Sequence, residues 1–88
     1  MKYFAVFLPM KDEEKSAQYR PDHLAFLKEQ GEKGHVFVKG RFVDGWGGMV
    51  IYQGNDIADI TSIVLEDPYV VSGARDFEIH EWEMQEGR

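Results

Sequence analysis

His23 stands four positions before Leu27, a spacing that puts both on one helix face directed toward a sheet. An imidazole with an unperturbed pKa of about 6.5 suits the roles of general base and general acid. The same position also suits a core or edge histidine satisfied by one hydrogen bond, since buried polar groups are paired in any case. Spacing alone leaves both readings open. Asp67 is the natural carboxylate partner, although an aspartate before Pro68 equally fits a turn or helix end. His35 and His80 fall on presumed strands and share no metal-ligand spacing with His23, so they read as surface or dimer-interface residues. Gly45, Gly47 and Gly48 around Trp46 resemble a phosphate loop only superficially, because no Lys-Ser/Thr follows and no helix begins there. They read as hairpin glycines. Trp46 and Trp82 can stack on a ligand ring, but aromatic residues in small domains mostly serve core or interface packing. No Ser-His-Asp pattern with a nucleophile-elbow context is present.

The elements that must position these residues follow from period and punctuation. Tyr3 to Leu8 is an apolar strand ended by Pro9. Lys11 to Gln18 reads as a loop or frayed lead-in, and Arg20-Pro21-Asp22 as the turn that opens a helix. Leu24, Leu27 and Gly31 would share its inner face, and Gly34 would cap its end. His35 to Val43 and Trp46 to Gln53 are strand-like around an Asp44-Gly45 turn. Asn55 or Asp56 caps a second helix carrying Ile57, Ile60 and Val64, which stops near Asp67-Pro68 because a residue before proline is pushed off helical dihedrals. A short turn through Gly73 leads to a last strand, Asp76 to Met84. The order βαββαβ predicts an α+β, ferredoxin-like antiparallel sheet with helices on one face. Strand one is apolar on both faces, and two helices cover only one side of a four-stranded sheet. A second copy of the sheet is the simplest cover for the other, which predicts a homodimer. Phe77 and Ile79 disagree in parity with Trp82 and Met84, so a bulge is expected near His80 or Glu81.

Composition narrows the function classes. The 88 residues fit a single domain spanning 1–88. With 0 cysteines, disulfides, thiolate nucleophiles and Cys-based zinc sites are excluded. Sixteen Asp+Glu against 10 Lys+Arg give a net charge of -6, which disfavours nucleic acid and anionic lipid as partners. The longest apolar run is too short for a membrane span and Lys2 begins no signal-peptide pattern, so a cytoplasmic location is expected. Asp76, Glu78, Glu81, Glu83 and Glu86 read as a solvated edge that discourages strand addition.

Arg20-Pro21-Asp22-His23-Leu24 resembles the R-P-x-H-L signature of the YCII-related (YciI-like) domain family. Gly40, Asp44-Gly45 with Gly47-Gly48, and Asp67-Pro68-Tyr69 followed by Gly73 match further positions in order. The resemblance implies a dimeric α+β barrel and an active-site His-Asp pair, which by position is His23 and Asp67. It also implies a substrate pocket in which Gly40 lies nearby and Arg20, Tyr69 and Ser72 serve as anion anchor and hydrogen-bonding groups. Lys39 and Arg41, flanking Gly40, depart from the small or proline residues common there, so no substrate preference carries over. One expectation is a cofactor-independent, metal-free lyase or isomerase in which His23 moves a proton on a small cyclic or aromatic acid and Asp67 orients the ring. The other is a non-catalytic small-ligand-binding module built on the same pocket.

Overall fold

The computed structural model describes residues 1–87. Its elements are β1 (Lys2–Pro9), α1 (Glu13–Glu32), β2 (Val36–Arg41), β3 (Gly47–Gly54), α2 (Ile57–Val64), α3 (Pro68–Val71) and β4 (Glu78–Trp82). The four strands form one antiparallel sheet in the order β2-β3-β1-β4, the split arrangement expected from the βαββαβ pattern. β1 lies inside the sheet and carries no charge after Lys2, whereas the charged strands β2 and β4 take the edges. Phe4, Val6 and Leu8 of β1 meet Val50 and Tyr52 of β3 under the helices. Leu27 of α1 and Ile60 and Val64 of α2 close this core from above. Each such side chain contributes about 1.5–3 kcal/mol by leaving water.

The first helix differs from expectation in its start and in its inner face. It begins at Glu13, a full turn and more before the Arg20-Pro21 segment, because Asp12 caps it by accepting from the Lys15 N–H at 3.0 Å. Pro21 lies within the helix, where it withholds only the hydrogen bond owed to Ala17. Ser16, His23, Leu27 and Gln30 are buried, while Leu24 and Gly31 are exposed. Gly34 ends the helix as expected: its N–H and that of His35 return to the Gly31 and Gln30 carbonyls. The segment after α2 is also more ordered than a plain turn. Asp67 caps the one-turn helix α3, with Pro68 at its first position.

The bulge expected near His80 or Glu81 is not there, and the irregularity lies instead on the opposite edge of the sheet. β4 pairs with β1 in unbroken register from Tyr3↔Trp82 to Phe7↔Glu78, and Phe77 precedes the strand, so its parity places no demand on the ladder. The irregularity is in β2, between Val36 and Val38. Val36 lies opposite Tyr52, but Val38 lies opposite Ile51, so these two residues face opposite sides rather than the same one. Past the bulge, Lys39 and Arg41 pair with Val50 and Gly48 and share the helix-covered face. Phe37 is 46% exposed and packs edge-on against Tyr3 on the uncovered side. At the far end of the sheet Gly47, at φ 145°, lies where a Cβ would stand 2.2 Å from the Leu8 carbonyl oxygen, so no other residue lets β3 approach β1 there.

Candidate functional site

Two local structures bring His23 and Asp67 together. The inner face of α1 carries His23 one turn before Leu27, and the extended backbone of Asp67 before Pro68 aims its side chain at the start of α3. Asp67 Oδ1 accepts the Tyr69 N–H at 2.9 Å, which is its cap bond, and lies 2.8 Å from His23 Nδ1. A carboxylate only accepts, so the ring proton belongs on Nδ1 and the lone pair on Nε2. His23 is 7% exposed and Asp67 1%. Behind the pair, Tyr52 Oη and Asp67 Oδ2 are fully buried and bond to no described group. Burial, and secondarily the charge of Asp67, raises the Tyr52 phenol well above its ordinary value of 10.0, so it stays protonated.

Tyr69 links this pair to a second polar group. Its ring stacks on His23 with centroids 3.8 Å apart and planes 11° from parallel, and the Arg75 guanidinium carbon lies 4.4 Å from the same ring centroid. Gly73, at φ 76°, turns the chain out of α3. Ala74 then accepts from the Lys11 and Asp12 N–H groups, and the Arg75 N–H donates to the Tyr69 carbonyl, which tucks Arg75 beneath α1. There Arg75 Nε donates to Ser16 Oγ at 3.0 Å and Nη1 to the Leu8 carbonyl at 3.2 Å. Burial lowers the guanidinium from its ordinary value; Arg20 adds to the drop, while Tyr69 and Asp67 oppose it.

These groups border a pocket of about 160 Å³ between α1 and the β2–β3 hairpin. Of the residues expected at a site, Arg20, His23, Gly40 and Tyr69 line it, and Asp67 stands directly behind His23. Ser72 does not line it: its hydroxyl donates to the Tyr69 carbonyl and accepts from the Ala74 N–H, closing the turn after α3. Arg75, Lys39 and Arg41 line the pocket without having been expected there. Arg75 carries no periodic or motif signal, being a lone cation ahead of an acidic stretch. His35 bonds Gln30 at the end of α1, and His80 is exposed on β4, 3.3 Å from Glu78. Among the described residues no group of His, Cys, Asp and Glu side chains gathers to hold a metal ion. No helix among them is long and apolar enough to cross a membrane.

The architecture recurs in solved structures. A 5-chloro-2-hydroxyhydroquinone dehydrochlorinase, TftG of Burkholderia phenoliruptrix AC1100, solved with 2,5-dihydroxybenzoquinone, superposes with a TM-score of 0.80 at 18% identity, over 94% of this chain and 95% of that one. MtbAldR superposes with a TM-score of 0.65 at 12% identity, over 99% of this chain and 56% of that one. At such identities the likeness is one of fold. In sequence, the uncharacterized protein YjpA of Bacillus subtilis (strain 168) is 25% identical over 83 residues, covering 94% of this chain and 98% of the relative. The model of the YCII-related domain matches residues 1–83, through both the segment bearing His23 and the one bearing Asp67, and the chain belongs to that family.

Proposed function

We propose that this protein is a small-molecule enzyme of lyase or isomerase type that needs no cofactor, with His23 as the proton-transfer group and Asp67 as its orienting partner. The observation that carries the reading is the 2.8 Å contact between His23 Nδ1 and the buried Asp67 carboxylate, at the wall of a pocket one ring in size. With Nδ1–H committed to Asp67, Nε2 is the basic atom available to a ligand. It takes a proton from carbon next to a carbonyl. In an isomerase the proton returns at another carbon; in a lyase the freed electron pair forms a double bond as the leaving group departs with its own pair. The Asp67 charge stabilises the imidazolium between these steps. Fold likeness to a dehydrochlorinase crystallised with a one-ring quinone supports a small cyclic substrate.

The working unit in this proposal is a homodimer of the 1–88 domain. Phe37, Val38, Trp46 and Trp82 are all exposed, on or around the sheet face that the helices leave open, and a second sheet is the cover that matches them. The test of the chemistry is His23→Asn. Asparagine is polar and fills much of the same space, so folding should persist while turnover of a screened cyclic acid falls by about 10²–10⁴-fold. Wild-type turnover in a well-folded His23→Asn protein would leave only ligand binding.

A further inference from the structure

We propose that the pocket is an anion site built on Arg75, which anchors the anionic group of a single-ring substrate beside His23. The proposal rests on the small-molecule reading above and names the residue that holds the substrate's charge. Arg75 is 9% exposed, yet its two protein hydrogen bonds go to neutral oxygens, Ser16 Oγ and the Leu8 carbonyl. No carboxylate among the described residues forms an ion pair with it. A guanidinium held largely out of water with no direct ion pair is costly to bury, and the N–H groups that bond no described residue belong to a side chain lining the pocket. An anion in the pocket supplies both the charge and the acceptors, in the forked geometry that arginine offers a carboxylate.

The surroundings support the same conclusion. The chain as a whole is acidic, at -6, but the pocket lining holds Arg20, Lys39, Arg41 and Arg75 and no carboxylate. Two of these cations reach it through the bulge in β2. In an unbroken strand with Val36 facing the helices, Lys39 and Arg41 would face the open side of the sheet; the extra residue turns both inward, opposite Val50 and Gly48. Gly48 keeps the floor clear, since a Cβ there would lie 3.2 Å from the Gly40 carbonyl oxygen and 3.9 Å from Arg75 Nη1. The space is also specific in size. An apolar cavity of about 150 Å³ holds benzene, so 160 Å³ accommodates one ring. Imidazole and guanidinium both lie against the Tyr69 ring, and both side chains line the same pocket, so an anion on Arg75 shares that pocket with the base. Arg20, by contrast, is exposed on α1 and contributes positive potential at the rim rather than a fixed anchor.

The test compares benzoate with benzamide, which has nearly the same shape and no charge, by calorimetric titration of the full chain. Benzoate should bind at least about tenfold more tightly than benzamide. Arg75→Met should weaken benzoate by about ten- to a hundredfold while leaving benzamide unchanged, and Arg75→Lys should restore part of the loss. Equal binding of the two ligands, or undiminished benzoate binding by Arg75→Met, would overturn the proposal. Should Arg75→Met fail to fold, the pair Lys39→Ser and Arg41→Ser takes its place: benzoate affinity and its salt dependence should both fall, and no change in either refutes the anion site. The two readings fail separately. Benzoate held through Arg75 in a protein whose turnover survives His23→Asn upholds the anion site and removes the proton-transfer reading. Turnover lost in His23→Asn, with benzamide bound as well as benzoate, does the reverse.

Discussion

Replacing Asp67 separates its charge from its geometry, because one oxygen serves both neighbours. Oδ1 accepts from the Tyr69 N–H at 2.9 Å and lies 2.8 Å from His23 Nδ1, while Oδ2 bonds to no described group. Asparagine keeps an amide oxygen in the Oδ1 position, so both bonds survive Asp67→Asn, and asparagine caps helices as well as aspartate does. Its amide nitrogen would take the place of Oδ2, which already bonds to no described group, so no bond is lost there. The expected stability change is therefore within about 1 kcal/mol. Alanine loses everything at once: about 1 kcal/mol for the cap and about 1.5–3 kcal/mol for the hydrogen bond to a charged partner. A loss near 3 kcal/mol lowers the melting temperature by about 12–24 °C in a domain of this size. Activity should order differently, with Asp67→Asn losing about 10²–10⁴-fold in turnover, because nothing then stabilises the imidazolium. Thermal unfolding of both variants, turnover, and the ¹⁵N signature of a proton on His23 Nδ1 are the measurements. Wild-type turnover in Asp67→Asn, or a melting temperature as low as that of Asp67→Ala, would refute the separation of roles.

Tyr52→Phe deletes a buried hydroxyl that bonds to no described group, so at neutral pH it should change stability by less than about 1 kcal/mol; a larger loss in urea unfolding would mean that the hydroxyl pairs with Asp67. Because the folded-state phenol is raised above 10.0 by burial and Asp67, its contribution is complete below that pH and is lost as pH rises beyond it. The gap between Tyr52→Phe and wild type should therefore widen in favour of the variant in alkaline unfolding experiments. Light scattering at micromolar concentration should report twice the 10.2 kDa chain mass, and Val38→Lys on the open face should return it to that of one chain. A folded wild-type monomer would remove the sheet-to-sheet dimer.

Local chemistry was legible in the residues themselves. The Asp44-Gly45 turn, the caps at Asp56 and Gly34 and the extended backbone of Asp67 before Pro68 each depend on a few neighbouring residues, and the structure has all of them. The βαββαβ order followed from alternation and helical spacing, because one side of each element must be apolar to be buried. That His23 lies on an inward face was likewise readable from Leu27. Three features awaited the tertiary structure. Whether Asp12 or the Pro21 segment starts α1 depends on competing caps, and burial of Ser16 and His23 on a single helix settled it. The bulge belongs to a strand pair rather than to a strand, so no period within β2 shows that Lys39 and Arg41 turn inward; only pairing with β3 does. Arg75 is the clearest case, a cation in an acidic stretch whose burial comes from Ser16, Leu8 and Tyr69, as far as 67 positions away in sequence. Periodicity reports which side of an element is apolar. Which charges a packed interior then encloses depends on contacts distant along the chain, and those exist only once it has folded.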